Sequence, residues 1–420
     1  MKKKYRRSYG SRRRRGSFGS SNWAPLVKLL ACVLGIAALL AFVVVGTMTV
    51  LETVFKIDTP LKPDGIIAKI AKLVSDDDVL VVTPTPYVPP PPTPTPHPMD
   101  AYNAEQDENE VVLPVDMHYR FFGDPTVYGG KMLFAAGLIV DGNVNMSSLL
   151  TFEPEYNTFN VLPIKPRNQH FIYPCFNDEW LVYLDGKLKG GGDICAYNLD
   201  SGGEPVVIKT VYVGQPELRL DGHYLAWIER TGTTRDKLFV CDLETMETTV
   251  VAMFSDSGYG TSVPDMHEGT LIWASEDSSY YETSVIKHIE VSSSGIGLND
   301  YVSNTYIHDP ETNGKYFAWL DAHHSPETKL YISKIPSQGT QLEPKLIASG
   351  VVDFYLDNDF VAYSMDEVVY VYLFEAENSY RISPERELAQ LLGASDGYVI
   401  WMDVTTRERD VMKYAKILTD

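Results

Sequence analysis

A short pattern recurs seven times between residues 129 and 403, and this periodicity limits what the chain can fold into more than any other feature. Each copy has a turn built from Asp, Asn or Gly, then an alternating strand with an aromatic at its centre, then often an acid. The copies read GGKMLFAA, NDEWLVYLD, DGHYLAWIE, HEGTLIWASE, TNGKYFAWLD, DNDFVAYSMD and SDGYVIWMD. Their aromatics, Phe134, Tyr183, Trp227, Trp273, Trp319, Tyr363 and Trp401, stand 49, 44, 46, 46, 44 and 38 residues apart. A period of roughly 40–50 residues with several strands per repeat is that of a β-propeller blade. Further strands follow each copy, such as KLFVCDLETM and KLYISKIPSQ, then β-branched runs such as EPVVIKT and TTVVAMF. Their alternation supplies an apolar set to each face of a blade, as blade-on-blade packing requires.

The expected fold is therefore all-β, a seven-bladed propeller over 110–420. Six or eight blades are the alternatives, because the first copy is the weakest match. The last copy ends at YAKILTD, one strand short of a blade, and EVVLPV (110–115) precedes the first. That N-terminal piece is expected to complete the last blade and close the ring, leaving no exposed edge.

The segments LDGHYLAWIERTGTTRDKLFVCDLETMETTVV and TNGKYFAWLDAHHSPETKLYISKI resemble the TolB-like (PD40, WD40-like) propeller repeat family, with its DG turn, aromatic strand and Asp-Leu-x-Thr turn. The family's Ser-Pro ahead of the DG turn is absent. The resemblance implies the propeller fold, with the strand ends after the aromatic leading to a ligand-binding face of the disc; function follows from it only loosely.

Ahead of the repeats the chain changes character. Residues 1–28 carry ten Lys or Arg and no acid. Residues 29–51, LLACVLGIAALLAFVVVGTMTVL, hold no charge and are long enough as a helix to cross the roughly 30 Å hydrocarbon core. The basic tail places the N-terminus in the cytoplasm and the rest outside it. A cleaved signal would have a shorter apolar stretch, about 7–15 residues. After a juxtamembrane segment (52–82), TPTPYVPPPPTPTPHP (83–98) is expected as polyproline II, a stalk about 50 Å long. The acidic remainder of this linker, to residue 109, is expected to be unstructured.

The net charge of −20 hides an asymmetry: beyond residue 28, 26 of the 36 basic residues face all 56 acids, a net −30. Such a body repels phosphates and excludes nucleic acid as the expected partner. Of the four cysteines, Cys32 lies in the apolar span, and Cys175, Cys195 and Cys241 allow at most one disulfide. The acids at or just beyond the aromatic strand, Asp185, Glu229, Glu276, Asp321, Asp366 and Asp403, form a candidate ligand-binding rim for cationic partners or calcium. The plain reading of the same residues is solvation of turns. His323 and His324, near Asp321 and Glu327, offer two zinc-type ligands without the third that a site needs. No Gly-x-Ser-x-Gly elbow, P-loop, dinucleotide fingerprint or HExxH is present. The expected function is that of a membrane-anchored, extracytoplasmic module binding a protein, a peptide or a wall polymer, without a cofactor. The alternative is a propeller-fold hydrolase or lyase using carboxylates near the central channel.

Overall fold

Alternating strands with an apolar set on each face need a neighbour on both sides, and a ring of blades supplies it. The computed structural model describes residues 97–420 except 115–116, 231–234, 255–261, 277–283, 292–298, 304–305, 322–326, 406–409 and 420. Among them, twenty-eight strands, β1 to β28 in chain order, form seven four-stranded antiparallel sheets. Each sheet is one blade. The blade count is seven, the number of the repeats, and not six or eight.

The first strand of each blade lies innermost. These are β2 (Phe121–Tyr128), β6 (His170–Phe176), β10 (Arg219–Asp221), β14 (Asp265–His267), β18 (Ile307–Thr312), β22 (Val351–Leu356) and β26 (Ala389–Ser395). Each contacts the corresponding strand of the next blade, and β26 contacts β2, so the seven surround an axial channel. The aromatic strands lie one place outward. Their seven aromatics are all at most 3% exposed. Each packs toward the preceding blade: Trp227 joins Val182 and Leu184, and Trp401 joins Phe360 and Val371. The intervening residues face the following blade, as Ala226 and Ile228 do against Trp273. Truncating one such aromatic to Ala removes about 3–5 kcal/mol.

Ring closure uses the N-terminus. Strand β1 (Asn109–Glu110) pairs with β28 (Val411–Lys416), Asn109 opposite Tyr414 and Glu110 opposite Lys413, and becomes the outer strand of the seventh blade. Val111 adds one amide bond to the Met412 carbonyl (2.8 Å). The expected strand 110–115 is thus earlier and shorter, since Val112 is exposed and Pro114 has no N–H to offer.

Residues 99–109 also differ from expectation. A 3₁₀ turn (Pro98–Ala101) and a short helix α1 (Ala104–Asp107) lie against blades 6 and 7. Met99 is 1% exposed in that core, Tyr102 donates to the Ile382 carbonyl (3.0 Å) and Tyr380 donates to Asp100 (2.9 Å). Two apolar anchors are enough to seat a segment whose composition alone reads as unfolded.

A buried ion cluster locks the seam. Lys413 Nζ lies 3.1 and 3.0 Å from the two Glu108 carboxylate oxygens, bonds Glu387, and sits 4.0 Å from Asp403. Among the described residues no helix is long and apolar enough to cross a membrane. The basic tail, the predicted span 29–51, the juxtamembrane segment and the prolines up to residue 96 lie outside the described residues.

Removing one member of a buried ion pair strands the others, at about 3–5 kcal/mol. Lys413→Met, which leaves three carboxylates together, is expected to lower the thermal midpoint by more than Glu108→Ala. Calorimetry on both variants measures this; a wild-type midpoint in Lys413→Met would refute the seam.

Candidate functional site: an acidic cavity on the propeller axis

The inner strands are not regular. Ladder register shifts between Gly123 and Thr126 in β2, Ile172 and Cys175 in β6, and His308 and Glu311 in β18. The skipped pairs are Asp124-Pro125, Tyr173-Pro174 and Asp309-Pro310, and the residue before each proline has φ of 49°, 47° and 47°. Proline fits where an edge strand needs no donor, and a bulge re-aims the side chains beside it. Carboxylates of the inner strands staple one blade to the next. Asp124 accepts from Tyr173 N (3.0 Å), Asp265 from Thr312 N (2.8 Å) and Glu311 from Leu356 N (2.6 Å).

A second layer lies in the turns that leave these strands. Asp221 accepts from Gly269 N (2.6 Å), and Asp357 accepts from Gly397 N (2.7 Å). Asn313 donates to the Asp357 carbonyl (2.8 Å).

Between the two layers lies a cavity of about 430 Å³ to which all seven blades contribute. Its carboxylates are Asp221, Asp265, Glu268, Glu311, Asp357 and Asp396, against one arginine, Arg219, and one histidine, His267. Arg219 lies deep in the channel, 3.4 Å from Glu217 and 3.9 Å from Asp265. Burial alone would lower its pKa, but Glu217, Glu311 and Asp265 hold it above the usual value. Burial raises the carboxyls: Glu311 well above its ordinary range with Asp265 adding to the effect, Asp265 itself against the pull of Arg219, and Asp124. Asp353, on β22, is pushed up to about 7 by burial, with Glu217 and Asp309 adding to it. The channel thus holds one carboxyl, that of Asp353, raised to about 7, among others that burial raises, and an excess of acidic groups over basic ones.

The acids singled out from sequence lie elsewhere. They follow the aromatic strands, which run antiparallel to the inner ones, so they stand at the opposite end of the blades from the turns that line the cavity. Asp185 is 1% exposed and is consumed by the amides of Arg167 (2.6 Å) and Asn168 (2.9 Å). Glu229 pairs with Lys209 at 3.3 Å, and Asp403 accepts from Thr405 N (2.9 Å) near Lys413. Asp366 is an exposed residue of a two-residue turn at φ 52°, and Asp321 is half-buried opposite Lys329. Glu276 ends its strand opposite Ser284, and its side chain lies outside the described residues. The described carboxylates among the six are each engaged locally or exposed singly.

His323 and His324 also lie outside the described residues. Among the described residues, ligand atoms close enough to share a metal ion meet at His223, Asp242 and Glu244, within 4.8 Å of one another. There the Asp242 carboxylate already accepts from Glu244 N and Thr245 N (2.9 and 3.2 Å), as turn acids do. Cys175, Cys195 and Cys241 are all free thiols.

The residues that sequence reasoning missed were in view. Asp221, Asp357 and Asp396 belong to the DGHY, DNDF and SDGY turns, and Glu268 to HEGT. They served there as turn formers and as markers of the period. The recurrent X-Pro ahead of the turns, at Pro125, Pro174 and Pro310, was the available signal for the bulged inner strand.

No family model matches the chain, and no curated protein matches it. Solved structures do. The β-propeller domain of the Trilobed protease from Pyrococcus furiosus, described as having an open velcro topology, aligns with a TM-score of 0.53 at 14% identity, over 72% of this chain and 96% of that one. An acylaminoacyl peptidase from Pyrococcus horikoshii aligns with a TM-score of 0.51 at 12% identity, over 70% and 50%. This chain spans about half the length of that peptidase. These likenesses establish the propeller fold.

An acid raised by burial holds its proton in the native state up to about pH 7, while the unfolded chain releases it near its ordinary value. Its contribution to stability is therefore lost as pH rises through that window. Asp353→Asn is expected to flatten the fall of thermal midpoint between pH 5 and pH 8; a profile parallel to wild type would contradict the assignment.

Proposed function

We propose that the protein is a membrane-anchored, extracytoplasmic binding module whose axial cavity takes a positively charged group of a peptide or protein ligand. One observation carries this reading: six carboxylates supplied by several blades line one cavity of about 430 Å³ against a single arginine and a single histidine. A recess lined by one sign of charge and walled by low-dielectric protein focuses its field, and raises both the capture rate and the local concentration of the opposite charge. The volume lies in the range of about 300–1,000 Å³ that encloses a small ligand or a side chain with its neighbours. Arg219 and the amides that bind Asp265 and Glu311 hold the deeper acids in place. Glu268 and Asp396, both exposed, are left to meet the ligand.

The anchor in this proposal is the apolar run 29–51, and its orientation rests on the ten basic residues before it. A net −30 beyond them keeps nucleic acid and other polyanions away and leaves cationic ligands favoured.

The alternative, a hydrolase or lyase acting in the channel, draws on Asp353. A carboxyl titrating near 7 beside other acids and an arginine is suited to general acid–base work. Turnover abolished by Asp353→Asn, with ligand affinity retained, would favour it.

The test uses the full-length chain in detergent micelles and paired synthetic peptides that carry either lysines or glutamates. The lysine peptides are expected to bind, to bind about tenfold more weakly to a Glu268→Gln/Asp396→Asn double variant, and to lose affinity in 1 M salt, where the screening length falls to about 3 Å. Equal binding of the lysine and glutamate peptides would refute the reading.

A further inference from the structure

The end of the blades away from the axial cavity is not acidic throughout. Over blades 1 to 3 it carries exposed apolar side chains set among exposed bases.

Blade 1 projects there. Strands β3 (Lys131–Val140) and β4 (Asn143–Glu153) stay paired as far as Val140 opposite Asn143. β2 accompanies β3 only to Gly137, and β5 (Thr158–Val161) meets β4 only from Leu150. The hairpin from Leu138 to Asn145 therefore extends past the blade, by about 10 Å at the usual rise of a strand. A two-residue turn, Asp141-Gly142, with φ of 51° and 80°, closes it tightly. Its tip is convex and apolar: Leu138, Ile139, Val140 and Val144 are all exposed, Ile139 by 60%.

Blades 2 and 3 continue the surface, and hydrogen bonds hold its parts in place. Met146 N donates to His170 Nδ1 (3.3 Å), which joins the hairpin to the start of β6. Leu188 N donates to Gln169 Oε1 (3.0 Å), Gln215 Nε2 to the Lys187 carbonyl (3.2 Å) and Gly191 N to the Gly214 carbonyl (2.8 Å). Three loops are thus pinned together, and Arg230 of blade 3 lines one small pocket with Val213 and Gly214. Leu188, Tyr212 and Val213 are exposed apolar residues of these loops, Tyr212 by 82%.

The charges of the same segments fall into two groups. Four acids are spent internally. Asp185 accepts from two amides, Asp193 from Thr210 Oγ1 (2.6 Å) and Asn168 Nδ2 (3.1 Å), Glu217 pairs with Arg219 and Glu229 with Lys209. Left exposed are Lys165, Arg167, Lys187, Lys189 and Arg230, none of them in an ion pair among the described residues, against one exposed acid, Asp141.

We infer that this surface docks on a bilayer that contains anionic lipids. The bases meet headgroup phosphates, while the apolar tip and the tyrosine enter the interface, where a ring with a polar end is well placed. Charges more than about 8 Å apart are largely screened at physiological ionic strength. A bilayer approaching this end therefore meets the five bases rather than the net charge of the body. A soluble polyanion would gain the same charge contacts and leave the hairpin tip in water. Docked in this way, the propeller turns its acidic cavity away from the bilayer.

The surface needs no anchor, and its test leaves the anchor out. The seven blades and the contacts that close their ring lie within residues 97–420, part of one compact unit, so that fragment is complete as a fold. Its co-sedimentation with vesicles of phosphatidylcholine and one-third phosphatidylglycerol is expected to exceed that with phosphatidylcholine alone about tenfold. Binding should fall in 1 M salt, where the screening length is about 3 Å. Each base near such a surface contributes about fivefold, so Lys165→Gln/Lys187→Gln/Lys189→Gln should weaken binding on the order of a hundredfold. Ile139→Ser/Val140→Ser should weaken it about fivefold, and Asp141→Asn should tighten it. All of these positions are exposed, so an unchanged melting curve separates lost binding from lost folding. Glu268→Gln/Asp396→Asn, at the other end of the blades, should leave vesicle binding as it is. No preference for the anionic vesicles, or wild-type binding in the triple variant, would overturn the proposal. So would wild-type binding in the hairpin variant, which would report a general polyanion site instead.

Discussion

Each blade buries one aromatic against the blade before it, and the whole molecule depends on that contact. From Phe134 to Trp401 the seven rings occupy equivalent places, all at most 3% exposed, and each is opposed by the alternate face of the preceding sheet. A blade cannot bury both of its faces alone, so stability belongs to the ring. A ring needs a closing contact. The two-residue strand β1, the plug made by Met99 and the ion cluster at Lys413 provide it, and they tie the first described residues to the last blade.

Closing the ring creates the polar interior. Seven inner strands facing a narrow axis cannot all point apolar groups into it, because their outer sides already carry the core. Bulges at Asp124, Tyr173 and Asp309 turn side chains toward the channel and the next blade, where carboxylates satisfy amides that a regular ladder would have left unpaired. The same acids then supply the field of the cavity.

The fold was legible because its signal is repeated. One strand with a central Trp means little, whereas seven in phase point to seven blades and to the buried aromatic of each, though not to the inner strand that precedes it. The seam was legible in kind and misplaced in detail, since Val112 and Pro114 continue an apolar run without the pairing that defines a strand. The acidic linker was misread, because composition averages over a segment while Met99 and Tyr102 act singly. The candidate site was the least legible part. The sequence told where acids fall along a blade, but not that some of those after the aromatic strand are engaged locally, as Asp185 is by two amides. It also could not show that the acids of the turns converge, because the convergence of Asp221, Glu268, Asp357 and Asp396 on one axis is a property of the closed ring and not of any one repeat.

The central claim is that the axial cavity is a receptor for a positively charged group, and locating one there is the direct measurement. Crystals soaked with lysinamide, whose ammonium mimics a basic side chain and which carries no competing carboxylate, are predicted to show it in the cavity. Its side-chain nitrogen should lie within hydrogen-bonding distance of a carboxylate at the Glu268 and Asp396 end. Density for the ligand only on the outer surface, or an empty cavity at a concentration that saturates binding in solution, would contradict the account.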